Sequence, residues 1–303
     1  MKSLIVGCGY LGRRVADRLL AAGEQVFATT RSAERASEWA ALGLRPIVAD
    51  VTRPENWGDW PTSERVLFAI GYDRSSGGTV EQVYVDGLRA VLTRLLRCAE
   101  GRSLSLIHAS STGVYGQTDG LWVDETSLTE PRSGSGRALL EAERVAAEFA
   151  RREGWSVTSL RFAGLYGQDR LIRRSALERG EPIPGDPERW LNLIHIDDAV
   201  SAVLQAWRTS DAPGSARVLN IVDDQPIPRR MYYQTVCDLL GRPLPPFEPP
   251  RPAESDDARS RREEGNKRVS NRLAKEVLGF TPIYPSIATG VAASLAVERG
   301  TGD

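Results

Sequence analysis

The feature that most constrains this chain is a glycine-rich turn that follows directly on its first apolar run. The run Leu4-Ile5-Val6 leads into Gly7-Cys8-Gly9-Tyr10-Leu11-Gly12, and residues 13–22 then carry a helical pattern. A strand, a G-x-G-x-x-G turn and a helix in this order form the fingerprint of a dinucleotide-binding site. Gly7 permits the tight turn, Gly9 lets the backbone approach a pyrophosphate, and Gly12 lets the helix pack closely on the strand.

The turn therefore predicts that a dinucleotide lies against the start of the first helix. Unpaired N–H groups and the positive end of the helix dipole favour phosphate charge at that place. The alternative is an ordinary glycine-rich connection without a ligand. The residues of the turn that are predicted to contact the cofactor are Gly7, Gly9, Tyr10, Leu11 and Gly12.

Strand and helix patterns alternate at short intervals over the first half of the chain. This alternation is typical of βαβ units, so we predict an α/β Rossmann fold, with a doubly wound parallel sheet and helices on both faces. The pattern loosens after residue 165. The predicted domains are an NAD(P)-binding Rossmann core over 1–165 and a smaller, mixed C-terminal substrate lobe over 166–303, interleaved with late core elements at about 190–222. Predicted strands cover 25–29, 45–49, 65–70, 103–109 and 156–161, and predicted helices cover 33–42, 79–98 and 135–152.

The end of the second strand predicts which dinucleotide is bound. An acid at this position would accept a hydrogen bond from the ribose 2′-OH of NAD. The chain has Thr30-Arg31-Ser32 instead, and a cation with two hydroxyls suits a 2′-phosphate, which favours NADP over NAD. The alternative is that Arg31 is a solvated loop residue. Further predicted cofactor contacts are Asp50 and Val51 after the third strand, Ala69, Ile70 and Gly71 at the end of the fourth, Ser110 after the fifth and Phe162 after the sixth.

Composition excludes several classes of function. The 39 basic and 40 acidic residues leave a net charge of −1, so no global charge attracts nucleic acid or an anionic membrane. We see no apolar segment of about 18 residues that would span a membrane, and the immediate first strand leaves no room for a signal peptide. Three widely separated cysteines fit a reducing compartment, so a cytoplasmic location is expected. Two histidines and no cysteine–histidine cluster argue against a metal site.

The order of motifs resembles the extended short-chain dehydrogenase/reductase family, in its NAD-dependent epimerase/dehydratase branch. The resemblance implies NAD(P) binding, a C-terminal substrate lobe, a small-molecule substrate that in many members is a nucleotide sugar, and a monomer or a homodimer through the long helices. Besides the glycine turn, the segments that carry it are Asp50-Val51, Tyr84-Val85-Asp86-Gly87, residues 110–116 (SSTGVYG), residues 160–167, residues 192–198 (NLIHIDD) and residues 220–224.

In that family the chemistry depends on a Ser or Thr hydroxyl and on a Tyr-x-x-x-Lys pair, whose lysine lowers the tyrosine pKa. Ser111 matches the hydroxyl. The sequence that ends in Leu140-Glu141-Ala142-Glu143 places Ser135 at the tyrosine position and Leu139 at the lysine position. General acid–base catalysis contributes about 10²–10⁴-fold, and this chain lacks the usual groups for it.

Two interpretations follow from that loss. The first is an oxidoreductase or epimerase with a different acid or base, and the second is a non-catalytic NADP(H)-binding sensor or partner-binding module. For the first, Tyr115 and Tyr166 are nearby tyrosines in stretches that look structural. His195 is either a base or a positioned loop histidine. Arg137 stays protonated, so its role would be to supply the missing positive charge.

Four further features of the sequence carry predictions. Arg170, Arg173, Arg174 and Arg189 lie where the resemblance places substrate phosphates, although Arg173 and Arg174 also fit the outer face of a helix. His108 is interpreted as a satisfied residue at the end of a strand. The proline-rich segment 243–252 is predicted to lack regular structure, and the charged segment 259–264 to be a solvated loop.

Overall fold

The computed structural model describes residues 1–73, 77–99, 101–209, 212–249 and 265–300, so the charged segment 259–264 lies outside the described residues. The strands are β1 (Lys2–Val6), β2 (Gln25–Thr30), β3 (Arg45–Val48), β4 (Arg65–Phe68), β5 (Ser105–Ser111), β6 (Trp122–Val123), β7 (Ser156–Phe162), β8 (Gly164–Tyr166), β9 (Ile183–Pro184), β10 (Trp190–Leu191), β11 (Leu193–His195), β12 (Ala216–Ile221), β13 (Ile227–Pro228), β14 (Phe247–Glu248) and β15 (Arg268–Val269). The helices are α1 (Tyr10–Ala21), α2 (Ala33–Ala41), α3 (Gly87–Ala99), α4 (Gly134–Glu153), α5 (Arg174–Glu178), α6 (Ile196–Arg208), α7 (Arg229–Leu240), α8 (Arg272–Leu278) and α9 (Ile287–Gly300).

Seven strands form one parallel sheet in the order β12-β7-β5-β4-β1-β2-β3. The strand β1 lies between β2 and β4, with Leu4 opposite Phe27 on one side and Val66 on the other. The chain therefore winds outward from β1 in both directions, and ligands of such sheets bind beyond the carboxyl ends of the strands where the direction changes. The predicted Rossmann-like α/β fold is confirmed.

The alternation of side chains along β1 explains how helices cover both faces of the sheet. Leu4 and Val6 pack into one buried cluster with α3 and α4. Ile5 points to the opposite face, where α1 approaches so closely that a Cβ on Gly12 would lie 2.9 Å from the Ile5 methyl carbon. The helix α1 buries its apolar stripe at a helical spacing, through Leu11, Val15 and Leu19.

The chain divides into two compact units. The first comprises Met1–Ser111, Gly134–Arg161 and Val200–Leu219, and the second comprises Thr112–Ser133, Phe162–Ala199 and Asn220–Asp303. The division into folding domains at residue 165 stays a prediction.

The second unit is built from short strand pairs and helices. Strands β8 and β11 pair in parallel, as do β9 with β14 and β6 with β15, whereas β10 and β13 are antiparallel. Its core includes Tyr166, Leu193, Tyr232 and Val291. The buried carboxylate of Asp198 accepts hydrogen bonds from two backbone N–H groups, Ile283 at 2.6 Å and Tyr284 at 3.0 Å. None of the helices in the described part of the chain has the length and apolar character to cross a membrane.

Two local predictions are wrong. The proline-rich segment contains the strand β14, because the segment pairs through its carbonyl groups, which proline retains: Pro246 and Glu248 accept from the N–H groups of Ile183 and Gly185. The helix predicted over 79–98 is not uniform, since residues 82–86 are π-helical and α3 begins at Gly87. A Cβ on Gly87 would lie 2.9 Å from the Val51 side chain, so this glycine allows a close approach.

Candidate functional site

The glycine turn between β1 and α1 has the geometry that its sequence predicts. Gly7 has a φ of +94°, and a Cβ there would lie 2.6 Å from the backbone nitrogen of Ile70. A Cβ on Gly12 would lie 2.3 Å from the carbonyl oxygen of Gly7. Two glycines are therefore required by the packing of the turn itself. Gly9 differs, since no atom lies within 4 Å of the position of its Cβ.

The start of α1 carries no side-chain cap and no acidic residue in its first turn. The first N–H groups of a helix need a partner from outside the helix. The open space at Gly9 lies at this helix start, so an anion can approach the N–H groups without meeting a side chain.

A cavity of about 200 Å³ lies beyond the carboxyl ends of β1 to β4 in the first unit. It includes nine of the predicted cofactor contacts, namely Gly7, Gly9, Thr30, Arg31, Asp50, Val51, Ala69, Ile70 and Gly71. Its other lining residues are Cys8, Thr29, Arg35, Trp39, Thr52, Ala49, Asp73 and Val83, none of which the sequence singled out as a contact. Burial raises the pKa of the Cys8 thiol to about 12, so this thiol stays protonated near neutrality.

Six predicted contacts do not line the cavity. Leu11 and Gly12 face the interior of the first unit, and the ring of Tyr10 lies 4.1 Å from the Arg14 guanidinium. Ser32 is the N-cap of α2, and its hydroxyl accepts a hydrogen bond from the backbone N–H of Arg35. The remaining two are Ser110, which lies within β5, and Phe162, which is buried at the end of β7.

Arg31 and Arg35 line the cavity after the end of β2, and Asp73 lines it after the end of β4. Arg31 and Asp73 are each about half exposed, and 3.5 Å separates Arg31 Nη2 from Asp73 Oδ2. Arg35, in the first turn of α2, adds a second cation to the lining. Its only signal in the sequence is its spacing of one helical turn from Arg31.

Asp50 is held in one orientation at the end of β3. Its Oδ1 accepts hydrogen bonds from the backbone N–H of Thr52 at 2.9 Å and from the Thr52 hydroxyl at 2.7 Å. The indole N–H of Trp57 donates to the Asp50 carbonyl at 2.7 Å. A local turn therefore holds the carboxylate of Asp50, which is one of the residues that line the cavity.

The predicted catalytic positions lie on β5 and α4. Ser111 is the last residue of β5, and Ser135 lies in the first turn of α4 with Leu139 one turn further. Ser135 and Leu139 are both buried, with 4% and 7% of their surface exposed. A serine and a leucine at this spacing offer neither a base nor a cation.

A buried ion pair joins α4 to β7 of the sheet. The Arg161 guanidinium on β7 binds both carboxylate oxygens of Glu143 on α4, at 2.9 and 2.7 Å. The hydroxyl of Ser110 donates to the same carboxylate at 2.5 Å. The Ser110 side chain is therefore engaged in joining β5 to α4.

The four residues considered in place of the missing catalytic pair differ in exposure. The buried Tyr115 hydroxyl donates to Asn220 Oδ1 at 2.9 Å. Tyr166 is fully buried, its hydroxyl has no hydrogen-bond partner among the described residues, and burial together with Asp223 raises its pKa above the usual range. His195 ends the buried strand β11, and its Nδ1 accepts from the backbone N–H of Asp197. Arg137 is exposed on α4.

His108 lies inside β5 and not at its end, because the strand continues to Ser111. Its Nδ1 is 3.3 Å from the Ser159 hydroxyl, and its Nε2 has no partner within the described ranges. Complete burial lowers the pKa of this imidazole to about 4, although the Glu143 carboxylate opposes the shift.

The burial of His108 predicts that the free energy of unfolding falls in acid. The folded state binds fewer protons than the unfolded state between pH 4 and about 6.5, so stability is lost as the pH falls through this window. We expect the wild-type free energy of unfolding to be about 2–3 kcal/mol lower at pH 4.5 than at pH 7 from this residue alone. Urea unfolding at both pH values should show a smaller difference for His108→Gln, and an equal difference would contradict the assignment.

Comparison with known proteins agrees with this architecture. The model of the NAD dependent epimerase/dehydratase family matches residues 3–221. The chain is 26% identical over 337 residues to the UDP-glucose 4-epimerase of Corynebacterium glutamicum, covering 100% of this chain and 97% of that protein. It is 28% identical to a 4-hydroxy-2-methyl-3-oxo-4-farnesyl-3,4-dihydroquinoline-1-oxide ketoreductase of Stigmatella aurantiaca, over 78% and 72% of the two chains.

Among solved structures, MoeE5 in complex with UDP-glucuronic acid and NAD superposes with a TM-score of 0.78 at 25% identity, covering 99% of this chain and 100% of that one. The family match spans more than two thirds of the chain and includes the glycine turn, β5 and α4. On these grounds the chain belongs to the NAD dependent epimerase/dehydratase family.

Proposed function

We propose that this protein binds NADP(H) at the glycine turn and uses it in oxidoreductase or epimerase chemistry on a small or nucleotide-sugar-like substrate. The observation that carries the proposal is the cavity beyond β1 to β4, which joins the open space at Gly9 to the oriented Asp50 and to Arg31. Its volume of about 200 Å³ is below the 300–1,000 Å³ typical of whole-ligand pockets, so it fits the adenosine half of a dinucleotide.

The residues in the cavity fit the chemistry of such a cofactor. The uncapped start of α1 would hold the pyrophosphate, the Asp50 carboxylate would accept from the adenine amino group, and Arg31 with Arg35 would hold a 2′-phosphate. When bound, the nicotinamide ring supplies the hydride donor or acceptor of the reaction. The chain's own part is to bind and orient the ligands, and Ser111 is the residue proposed to hold the substrate oxygen.

A second candidate function is supported by Ser135 and Leu139. If these two residues replace the catalytic pair, the protein retains the cofactor site without the usual means of proton exchange. It would then act as a non-catalytic NADP(H) sensor or partner-binding module. The same proposal includes a cytoplasmic location, which rests on the few and widely separated cysteines, and a monomer or homodimer.

Turnover separates the two candidate functions. The protein loaded with NADPH is incubated with carbonyl compounds, and the protein loaded with NAD(P)⁺ with UDP-glucose, and products are followed by absorbance and mass spectrometry. An enzyme without the pair should give a measurable rate at least about 10²-fold below that of family members that have it, whereas a sensor should give no turnover. A rate equal to theirs would exclude the sensor and would show that another residue exchanges the proton.

Arg31 and Asp73 should act oppositely on the choice of dinucleotide. Arg31→Ala removes a charge-assisted contact to the 2′-phosphate, so NADPH affinity should fall about 10- to 100-fold while NADH affinity changes less than about two-fold.

Asp73→Asn removes the carboxylate that competes with the phosphate for Arg31. Since exposed ion pairs contribute about 0–1 kcal/mol, NADPH affinity should rise up to about five-fold. Nicotinamide fluorescence measures both, with the exposed Arg144→Ala as the control. Equal losses for both dinucleotides in Arg31→Ala would contradict the role of this arginine.

A further inference from the structure

Lysine is rare in this chain, although basic residues are not. Of 39 basic residues, three are lysines: Lys2, Lys267 and Lys275. Lys2 is exposed at the start of β1, and Lys275 forms an exposed ion pair with Asp224 at 2.7 Å. Lys267 differs from both, because it is partly buried in the second unit.

The Lys267 amine lacks a counter-charge in the described part of the chain. Its Nζ donates one hydrogen bond, to the backbone carbonyl of Tyr115 at 2.9 Å. No carboxylate of the described residues lies within 4.0 Å of it. Burial lowers the pKa of this amine to about 8, with no opposing contribution from a nearby charge. An ammonium group has three donors, so two remain beside the bond to Tyr115.

The backbone around Lys267 is fixed on both sides. The side chain of Asn192 donates to the Lys267 carbonyl at 2.9 Å and accepts from the N–H of Val269 at 2.7 Å. Before it, the N–H of Asn266 donates to the Gln117 carbonyl at 3.1 Å. After it, Arg268–Val269 pair with Trp122–Val123 as parallel strands. The backbone that carries the Lys267 side chain is therefore held by hydrogen bonds on both sides.

We propose that Lys267 is an anion-binding residue of the second unit, which takes a phosphate or carboxylate oxygen of a small ligand through its two remaining N–H groups. Pairing becomes more favourable as a charge loses contact with water, and an anionic oxygen would supply that pair to the partly buried Lys267. Lys267 is not among the residues that line the dinucleotide cavity, and its test uses no dinucleotide, so failure of one assignment can be told from failure of the other.

Chemical labelling of the wild-type protein tests this site, because the three lysines can be separated by peptide mapping. Pyridoxal 5′-phosphate has an aldehyde that condenses with an unprotonated amine, releasing water, and borohydride then reduces the imine to a stable secondary amine. We expect Lys267 to be labelled at least about five-fold faster than Lys275 at pH 8, since a lower pKa leaves more amine unprotonated. The labelling rate of Lys267 should rise with pH through a midpoint near 8.

Competition identifies the anion. Inorganic phosphate and acetate are added separately at constant ionic strength, and the anion that binds should slow labelling of Lys267 at least about five-fold and leave Lys275 unchanged. The same anion should raise the Tm of the wild type and of Lys275→Met but not that of Lys267→Met. Lys267→Gln serves as the neutral variant if Lys267→Met does not fold, since its amide keeps an N–H donor for the Tyr115 carbonyl. Equal labelling of Lys267 and Lys275, or no protection by either anion, would overturn the proposal.

Discussion

Glu143→Gln should lower the free energy of unfolding by about 3–5 kcal/mol. The substitution removes the charge that Arg161 binds through two hydrogen bonds, while both side chains remain about 6% exposed. The buried guanidinium loses the counter-charge that Glu143 supplies, and that penalty exceeds the loss of the contact itself. Urea unfolding at pH 7 measures the change.

A surface ion pair on the same helix provides the control. Glu141 lies two residues earlier on α4 and pairs with Arg144 at 3.2 Å, with both side chains largely exposed. Glu141→Gln should cost less than about 0.5 kcal/mol. The double variant Glu143→Leu with Arg161→Met should recover most of the stability lost in Glu143→Gln, because no charge is then buried. A cost below about 1 kcal/mol for Glu143→Gln would show that the pair does not hold α4 on the sheet.

Gly9→Ala should weaken dinucleotide binding sharply at a small cost in the stability of the fold. No atom lies within 4 Å of the new Cβ, but the backbone of Gly9, with φ −87° and ψ −145°, lies outside the main β region that alanine favours. We therefore expect the free energy of unfolding to fall by about 1 kcal/mol. The methyl group would occupy the space through which the pyrophosphate reaches the N–H groups of α1, so affinity for NADPH should fall at least about ten-fold.

Two other glycines show why Gly9 is the informative position. Gly58→Ala is the matched control, since its Cβ also meets nothing within 4 Å and Gly58 does not line the cavity. Gly12→Ala would place a Cβ 2.3 Å from the Gly7 carbonyl oxygen, so it should lose stability as well as binding. A Gly9→Ala protein that binds NADPH as tightly as Gly58→Ala does would contradict the placement of the pyrophosphate.

The parts of the fold and site that the sequence predicts are those set by local spacing. Gly7 and Gly12 lie within six residues of each other, and their spacing alone requires a tight turn and a close helix. Arg31 directly follows β2, so its position in the sequence is enough to predict that it lies beside the cavity. The alternation of strand and helix then predicts a parallel sheet with helices on both faces.

The contacts that sequence reasoning missed join residues far apart in the chain. Asp73 meets Arg31 across 42 residues, Glu143 meets Ser110 across 33, and Lys267 meets Tyr115 across 152. No periodicity connects such pairs, because they depend on which strands are neighbours in the sheet and which loops fold back. Ser110 is one example, since its hydroxyl is donated to Glu143, and its predicted contact with the cofactor stays a prediction.

The proposed cofactor site is tested most directly by titrating the wild-type protein with NADPH and with NADH and following the reduced-nicotinamide fluorescence. The account predicts one saturable site that binds NADPH at least about ten-fold more tightly than NADH, because the two arginines that line the cavity, Arg31 and Arg35, would pair with a 2′-phosphate. Absence of saturable binding for both dinucleotides, or tighter binding of NADH, would contradict it.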